Sequence, residues 1–166
     1  MPLFIYEDLV EKNVKIIASH TRRKIMAVVK SDAYGLSTKK MIPLLKKANI
    51  DFFVFETYSE YLKCQNLLRD KRVLILESTP ISLMQNAPNN VAFSMNSIID
   101  AIKVKDIQNK ITIHLRVDTG MNRQGIRNVE ELKKILTLFK TNENILVEGL
   151  YTHFSSDVFE SKYYEK

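Results

Sequence analysis

The feature that most restricts this chain is strict alternation. Short β-branched or apolar runs occur at 25–30, Phe52–Phe55, 73–76, 91–93, Ile111–Val117 and Ile145–Thr152, and stretches with helical spacing lie between them. Strands separated by helices of about 10–15 residues form crossover units on a parallel sheet. Local start signals support the helices. Thr57 and Glu60 have capping-box spacing, ahead of Tyr61, Leu62, Cys64 and Leu68. Asn128 precedes Glu130-Glu131 and an apolar stripe of Leu132, Ile135, Leu136 and Phe139. Asn96 is expected to open a helix in which Ile98, Ala101, Ile102 and Lys105 share one side. A first helix is predicted over 8–19. Pro43 predicts a late start or a kink in the second.

A parallel sheet of this kind is either doubly wound or closed as a (β/α)8 barrel. Ile111-Thr112-Ile113-His114-Leu115-Arg116-Val117 favours the barrel. Its odd positions suit a helix layer, while Thr112, His114 and Arg116 need a wet or hydrogen-bonded lumen. The fold class read here is α/β, a TIM-type barrel that is incomplete at about six βα units. A closed barrel has eight strands and about 250 residues. The expectation is therefore that residues 1–166 are the N-terminal part of a barrel domain, a segment of a longer chain. The segment Ser155-Ser156-Asp157-Val158-Phe159 reads on past the sixth strand.

Composition removes several classes. At 45% hydrophobic and 27% charged, the chain is too apolar for a disordered tail. One cysteine, Cys64, makes no intrachain disulfide, so a reducing compartment is expected. No segment has the ~18–20 consecutive apolar residues of a membrane helix, and Glu7-Asp8 interrupts the start before a signal-like stretch develops. A soluble, cytoplasmic protein is expected. The formal charge of +6 falls in separate pieces, Arg22-Arg23-Lys24, Lys39-Lys40, Lys46-Lys47 and Lys71-Arg72. A nucleic-acid groove would gather it into one stripe with aromatics, so no nucleic-acid partner is expected.

In a barrel, strand C-termini carry function. Three ends hold chemistry. Lys30 closes the first strand, followed by Ser31-Asp32-Ala33-Tyr34-Gly35; Asp118-Thr119-Gly120-Met121-Asn122-Arg123 follows the fifth; His153 follows the sixth. A lysine there can be a nucleophile for carbonyl carbon or a strand-end cation whose head reaches water. Arg123 leaves a tight turn as a rigid donor fork, or braces the loop through backbone carbonyls. His153 and Tyr34 admit plain structural roles when taken singly. Their placement at successive strand ends is what points to a site.

Three motifs carry a resemblance. Ala27-Val28-Val29-Lys30-Ser31-Asp32-Ala33-Tyr34-Gly35 resembles the cofactor-lysine motif of alanine racemases, fold-type III enzymes that use pyridoxal 5'-phosphate. His114-Leu115-Arg116-Val117-Asp118-Thr119-Gly120-Met121-Asn122-Arg123-Gln124-Gly125 resembles their second signature, and Glu148-Gly149-Leu150-Tyr151-Thr152-His153-Phe154 their third. The order and spacing are the family's, and the likeness covers nearly the whole chain. It implies an N-terminal barrel that carries the cofactor, a C-terminal β domain that this chain lacks, and a homodimer. Lys30 would bond the cofactor aldehyde and act as one of two catalytic bases. Tyr34 would bind the phosphate, His153 would lie against the ring, and Arg123 would bind the phenolic oxygen and place the substrate carboxylate. The implied activity interconverts L- and D-alanine, supplying D-alanine for cell-wall peptidoglycan.

The chain also departs from the family. The second base, in the family a tyrosine from the partner's C-terminal domain, has no counterpart, and Tyr151, Tyr163 and Tyr164 match no such position. Arg116 stands where the family often has a lysine modified to a carbamate. Two guanidiniums, Arg116 and Arg123, would repel, so an anion such as chloride is expected between them. Leu36-Ser37 replaces the usual His-Gly. The competing function is a cofactor-binding or scaffold fragment that is catalytically incompetent by itself. A pyridoxal-phosphate carrier on a similar barrel is a weaker third reading.

Overall fold

Phe52-Phe53-Val54-Phe55 is a run of strong strand formers, and three of the four side chains are buried. It forms the middle strand of a parallel sheet, as expected where both faces are covered. The computed structural model describes residues 3–21 and 23–154. Contacts divide the chain into two compact units, Met1–Leu76 and Glu77–Lys166.

The first unit contains α1 (Glu7–His20), β1 (Met26–Val28), a helical turn α2 (Lys30–Tyr34), α3 (Thr38–Lys47), β2 (Phe52–Phe55), α4 (Tyr58–Leu62), a short 3₁₀ turn and β3 (Arg72–Ile75). β1 pairs with β2 and β2 with β3, both parallel, in the registers Met26↔Phe52 and Phe52↔Arg72. Phe53, Phe55, Ile42, Leu68, Val73 and Ile75 are fully buried and form its core. α3 runs unbroken through Pro43, against the expected late start or kink. Ile42 beside it is completely buried and anchors that turn. The first strand stops at Val28, two residues short of the expected end, because Val29 leaves the extended region at ψ 22.

The second unit contains α5 (Ile81–Met84), β4 (Val91–Met95), α6 (Ile98–Val104), β5 (Ile111–Val117), α7 (Val129–Lys140) and β6 (Ile145–Thr152). β4 pairs with β5 and β5 with β6, again parallel. Phe93, Met95, Ile113, Leu115, Ile126 and Ile135 fill the core. α7 is capped by Asn128, which accepts from Glu131 N at 2.8 Å, and buries Ile135 and Phe139 as its stripe predicts. α6 differs from expectation. Its cap is Ser97 rather than Asn96, and it buries Ala101 and Val104 while Ile102 faces solvent. Asn96 ends up buried just past β4, which runs to Met95 and not to residue 93.

Among the described residues the fold is therefore α/β, with six parallel strands alternating with helices, where a closed barrel has eight. Ser155-Ser156-Asp157-Val158-Phe159, Tyr163 and Tyr164 lie outside the described residues, as does Arg22. Among the described residues no helix is long and apolar enough to cross a membrane.

Candidate active site

Lys30 and Tyr34 belong to the first unit, Arg123 and His153 to the second. Each pair has its own local architecture.

In the first unit, Lys30 opens α2 immediately after Val29, whose N–H still bonds to Val54 O at 2.8 Å. Ser31, Asp32, Ala33 and Tyr34 then take positive φ of 52–55°, a left-handed turn built without glycine. Such a conformation costs roughly 1–2 kcal/mol per residue and persists only where surrounding bonds hold it. Glu60 supplies several. Its Oε1 accepts from Ser31 N at 2.8 Å, while Oε2 accepts from Glu56 N at 3.0 Å and Thr57 N at 3.3 Å. The Thr57 hydroxyl accepts from Glu60 N in return, completing the predicted capping box. Asp32 ties the far side of the turn by accepting from both the backbone N–H and the hydroxyl of Thr38. Those two bonds, the hydroxyl's first, hold the Asp32 carboxyl below its ordinary value. The Lys30 ammonium donates to Glu56 Oε2 at 2.5 Å, with the two side chains 28% and 29% accessible. The Tyr34 side chain is exposed.

In the second unit, β5 leads into a loop that folds back on its own strand. Ile126 N bonds to Arg116 O at 2.8 Å and Asp118 N to Ile126 O at 2.9 Å. Gly125 permits this return: φ is +128°, and a Cβ there would lie 2.7 Å from Asp118 N. Asp118 Oδ1 accepts from the N–H groups of Gly120 and Asn122, both at 3.0 Å. Burial opposes the charge of this carboxylate, yet the backbone donors of Asn122 and Gly120, with Arg127 nearby, hold it below its ordinary range. The hydroxyls of Thr119 and Thr152 meet at 2.8 Å, which fastens the loop to the end of β6. Arg123 projects from this loop and His153 follows Thr152, both exposed, so the two stand at the C-terminal ends of adjacent strands.

The lumen-type positions behave as expected. His114 and Arg116 are buried, and both are hydrogen-bonded. His114 Nε2 meets Glu148 Oε2 at 2.9 Å, where the register slips between Ile113 and His114. The Tyr151 hydroxyl bonds to Ser94 Oγ at 2.7 Å, and Ser94 donates onward to Asn96 Oδ1 at 3.1 Å. Arg116 Nη1 donates to Gln124 Oε1 at 2.8 Å, whereas its buried Nε has no partner among the described residues.

Sequence reasoning overlooked Glu56, which has no motif of its own and acquires meaning only when β2 is laid beside β1. It also missed the Glu148 pairing and the Tyr151–Ser94–Asn96 chain. The polar even positions of β5 were the available signal for the first of these.

Parallel strands alternating with helices in this way define an incomplete β/α-barrel protein, with Lys30 opening the turn after its first strand. The family described as "Alanine racemase, N-terminal domain" matches residues 5–165, and the chain belongs to it. The alanine racemase of Staphylococcus carnosus is 28% identical over 163 residues, covering 93% of this chain and 42% of that protein. A crystal structure of alanine racemase from Bacillus anthracis with bound L-Ala-P is 25% identical, with a TM-score of 0.86 over 99% of this chain and 46% of that one. A histidine racemase from Leuconostoc mesenteroides subsp. sake shares the fold, at 22% identity and TM-score 0.85 over 96% of this chain and 45% of that one. The chain thus spans less than half the length of these relatives.

The residues present fit pyridoxal 5'-phosphate. Its aldehyde needs a primary amine within reach of solvent, and Lys30 has one, part-accessible, at the start of the turn that follows β1. Its phosphate needs donors, and the exposed Tyr34 phenol stands four residues on in the same turn.

Proposed function

We propose that the intact protein carrying this chain is a pyridoxal-phosphate-dependent amino-acid racemase that interconverts L- and D-alanine. The observation that carries this reading is the Lys30 amine, part-accessible on a turn fixed by Glu60, in a chain of the alanine racemase family. When bound, the cofactor supplies a ring able to take up the electron pair left as the α-hydrogen departs as a proton. The chain's own groups do the rest. Lys30 Nζ would hold the cofactor by condensing with its aldehyde, water leaving. The amine set free when the substrate's amine takes its place would take a proton from Cα or return one. Tyr34 would donate its hydroxyl to the phosphate, and His153 would lie against the ring. Arg123 would donate to the phenolic oxygen and help place the substrate carboxylate. Inversion needs a second acid/base on the opposite face, which we assign to a residue beyond this chain, in a homodimer. A cytoplasmic location and supply of D-alanine for the cell wall accompany this reading.

Arg116 supports an anion site. Its guanidinium is buried, its charge meets only the neutral Gln124, and its Nε has no partner among the described residues. A small anion such as chloride between Arg116 and Arg123 would satisfy both groups.

The test is to add pyridoxal 5'-phosphate to the intact protein, fix the product with borohydride, and locate the added mass. We expect it on Lys30, together with racemisation of L-alanine to D-alanine faster than racemisation of serine or histidine. Mass on another lysine, or no racemisation by the intact protein, overturns the assignment. Residues 1–166 alone should capture cofactor weakly and turn over negligibly. Absence of turnover from the intact protein as well, with capture retained, would support the cofactor-binding scaffold instead.

A further inference from the structure

Two hydroxyls join the loop that carries Arg123 to the strand end that precedes His153. Thr119 and Thr152 are 33 positions apart in the chain, both part-buried, and their oxygens meet at 2.8 Å. Each lies inside one of the two motif stretches, 114–125 and 148–154, and neither has a part in the chemistry proposed above. Val117↔Thr152 is the last pair of the β5–β6 register, so Thr152 still belongs to the sheet, whereas Thr119 has left it.

The loop itself is braced from within. Asp118 Oδ1 gathers the N–H groups of Gly120 and Asn122, and the Asn122 side-chain amide donates to Gly120 O at 3.1 Å. Asn122 takes φ +56° directly before Arg123. Farther on, Gln124 accepts from Arg116 and Ile126 rejoins β5. All of these bonds return the loop to itself or to its own strand. The Thr119 hydroxyl instead crosses to β6. Because the stretch from Asp118 to Asn122 is tied together, fixing Thr119 also fixes the point from which Arg123 departs.

From this geometry we infer that Thr119 and Thr152 are positioning residues for Arg123: their hydroxyls form a latch that holds the Arg123 loop in one relation to the end of β6, and so to His153. The inference rests on the racemase reading of Arg123 and His153. In this role neither hydroxyl touches the reacting atoms. The Arg123 side chain is exposed and has a long, rotatable stem, so its base is the part that the fold can hold. A fixed base narrows the region the guanidinium explores before the cofactor arrives, and less freedom is then lost on binding.

Binding of pyridoxal 5'-phosphate to the cofactor-free intact protein tests this, measured well below the thermal transition of every variant. Thr119→Val and Thr152→Val keep the side-chain shape and lose the hydroxyl; each should weaken binding about five-fold, the contribution of one net hydrogen bond. The double variant should lose no more than either single, and Thr152→Val should cost nothing further in an Arg123→Ala background. Thr152→Ser, which retains the hydroxyl, should bind as wild type does. Full affinity in the valine variants, additive losses, an undiminished loss without Arg123, or a serine variant as weak as the valine one each overturn the inference. A second measurement needs no cofactor. Hydrogen exchange at the Gly120 and Asn122 amides should quicken several-fold in Thr152→Val, although the substitution lies on another strand. Unchanged exchange would mean that the loop keeps its place without β6, and the latch is overturned. If the wild type fixes no cofactor mass on Lys30, the racemase reading fails, and exchange still decides the latch.

Discussion

The imidazole of His114 occupies the space that a side chain on Gly149 would need. A Cβ built on Gly149 would lie 2.6 Å from His114 Nδ1 and 2.8 Å from Cε1. These two residues are directly paired across β5 and β6, just past the slip in register that leaves Glu148 free to meet the far side of the ring. Glycine here is a packing requirement.

Gly149→Ala should therefore destabilise by about 1–3 kcal/mol, the usual cost of forcing extra volume into a filled site. Urea unfolding should show a lower midpoint with an unchanged slope. In the His114→Ala background the added cost should shrink, because the clashing ring is gone. An undiminished cost there would mean that the glycine serves its own backbone.

Thr57→Ala and Glu60→Ala separate helix capping from support of the lysine turn. Each removes part of the capping box and should cost about 1 kcal/mol of stability. Only Glu60→Ala also frees Ser31 N, so it alone should slow covalent capture of pyridoxal 5'-phosphate at Lys30, by several-fold. Equal capture by the two variants would show that the turn keeps its shape without the carboxylate.

Ser37→Gly should stabilise by about 0.5–1 kcal/mol. Ser37 sits at φ +70° and makes no side-chain cap bond to α3, so its Cβ carries left-handed strain without compensation. A higher thermal midpoint for the variant is the expected reading.

Asp118 should make the Arg123 loop acid-sensitive. Its carboxyl is held below its ordinary value in the fold, so its stabilising effect is complete above the unfolded-state value. That effect is lost as pH falls through the depressed folded value. Hydrogen exchange at the Gly120 and Asn122 amides should accelerate across that acidic window in wild type. Asp118→Asn, which cannot ionise, should show no such pH-dependent step.

The strands and their order were legible because a buried parallel strand is a dense local signal. Phe52–Phe55, Ile111–Val117 and Ile145–Thr152 agree residue for residue with expectation. The ends of elements were less legible. Asn96 and Ser97 are both good caps, and only the bond from Asp100 N to the Ser97 hydroxyl decides between them. Lys30 read as the last residue of a strand because five apolar residues precede it, but the chain turns at Val29. The motif residues Lys30, Tyr34, Arg123 and His153 could be nominated from sequence. Their supports could not, since Glu56 and Glu60 act across 26 and 29 positions of chain.

The left-handed turn after Lys30 also governs which sequences can occupy it. Four consecutive L-residues there wind in the sense natural to D-amino acids. Branching at Cβ worsens the crowding, whereas glycine and asparagine relieve it. A saturation map of 31–34 should thus display inverted tolerance, with valine, isoleucine and threonine excluded even at solvent-facing sites.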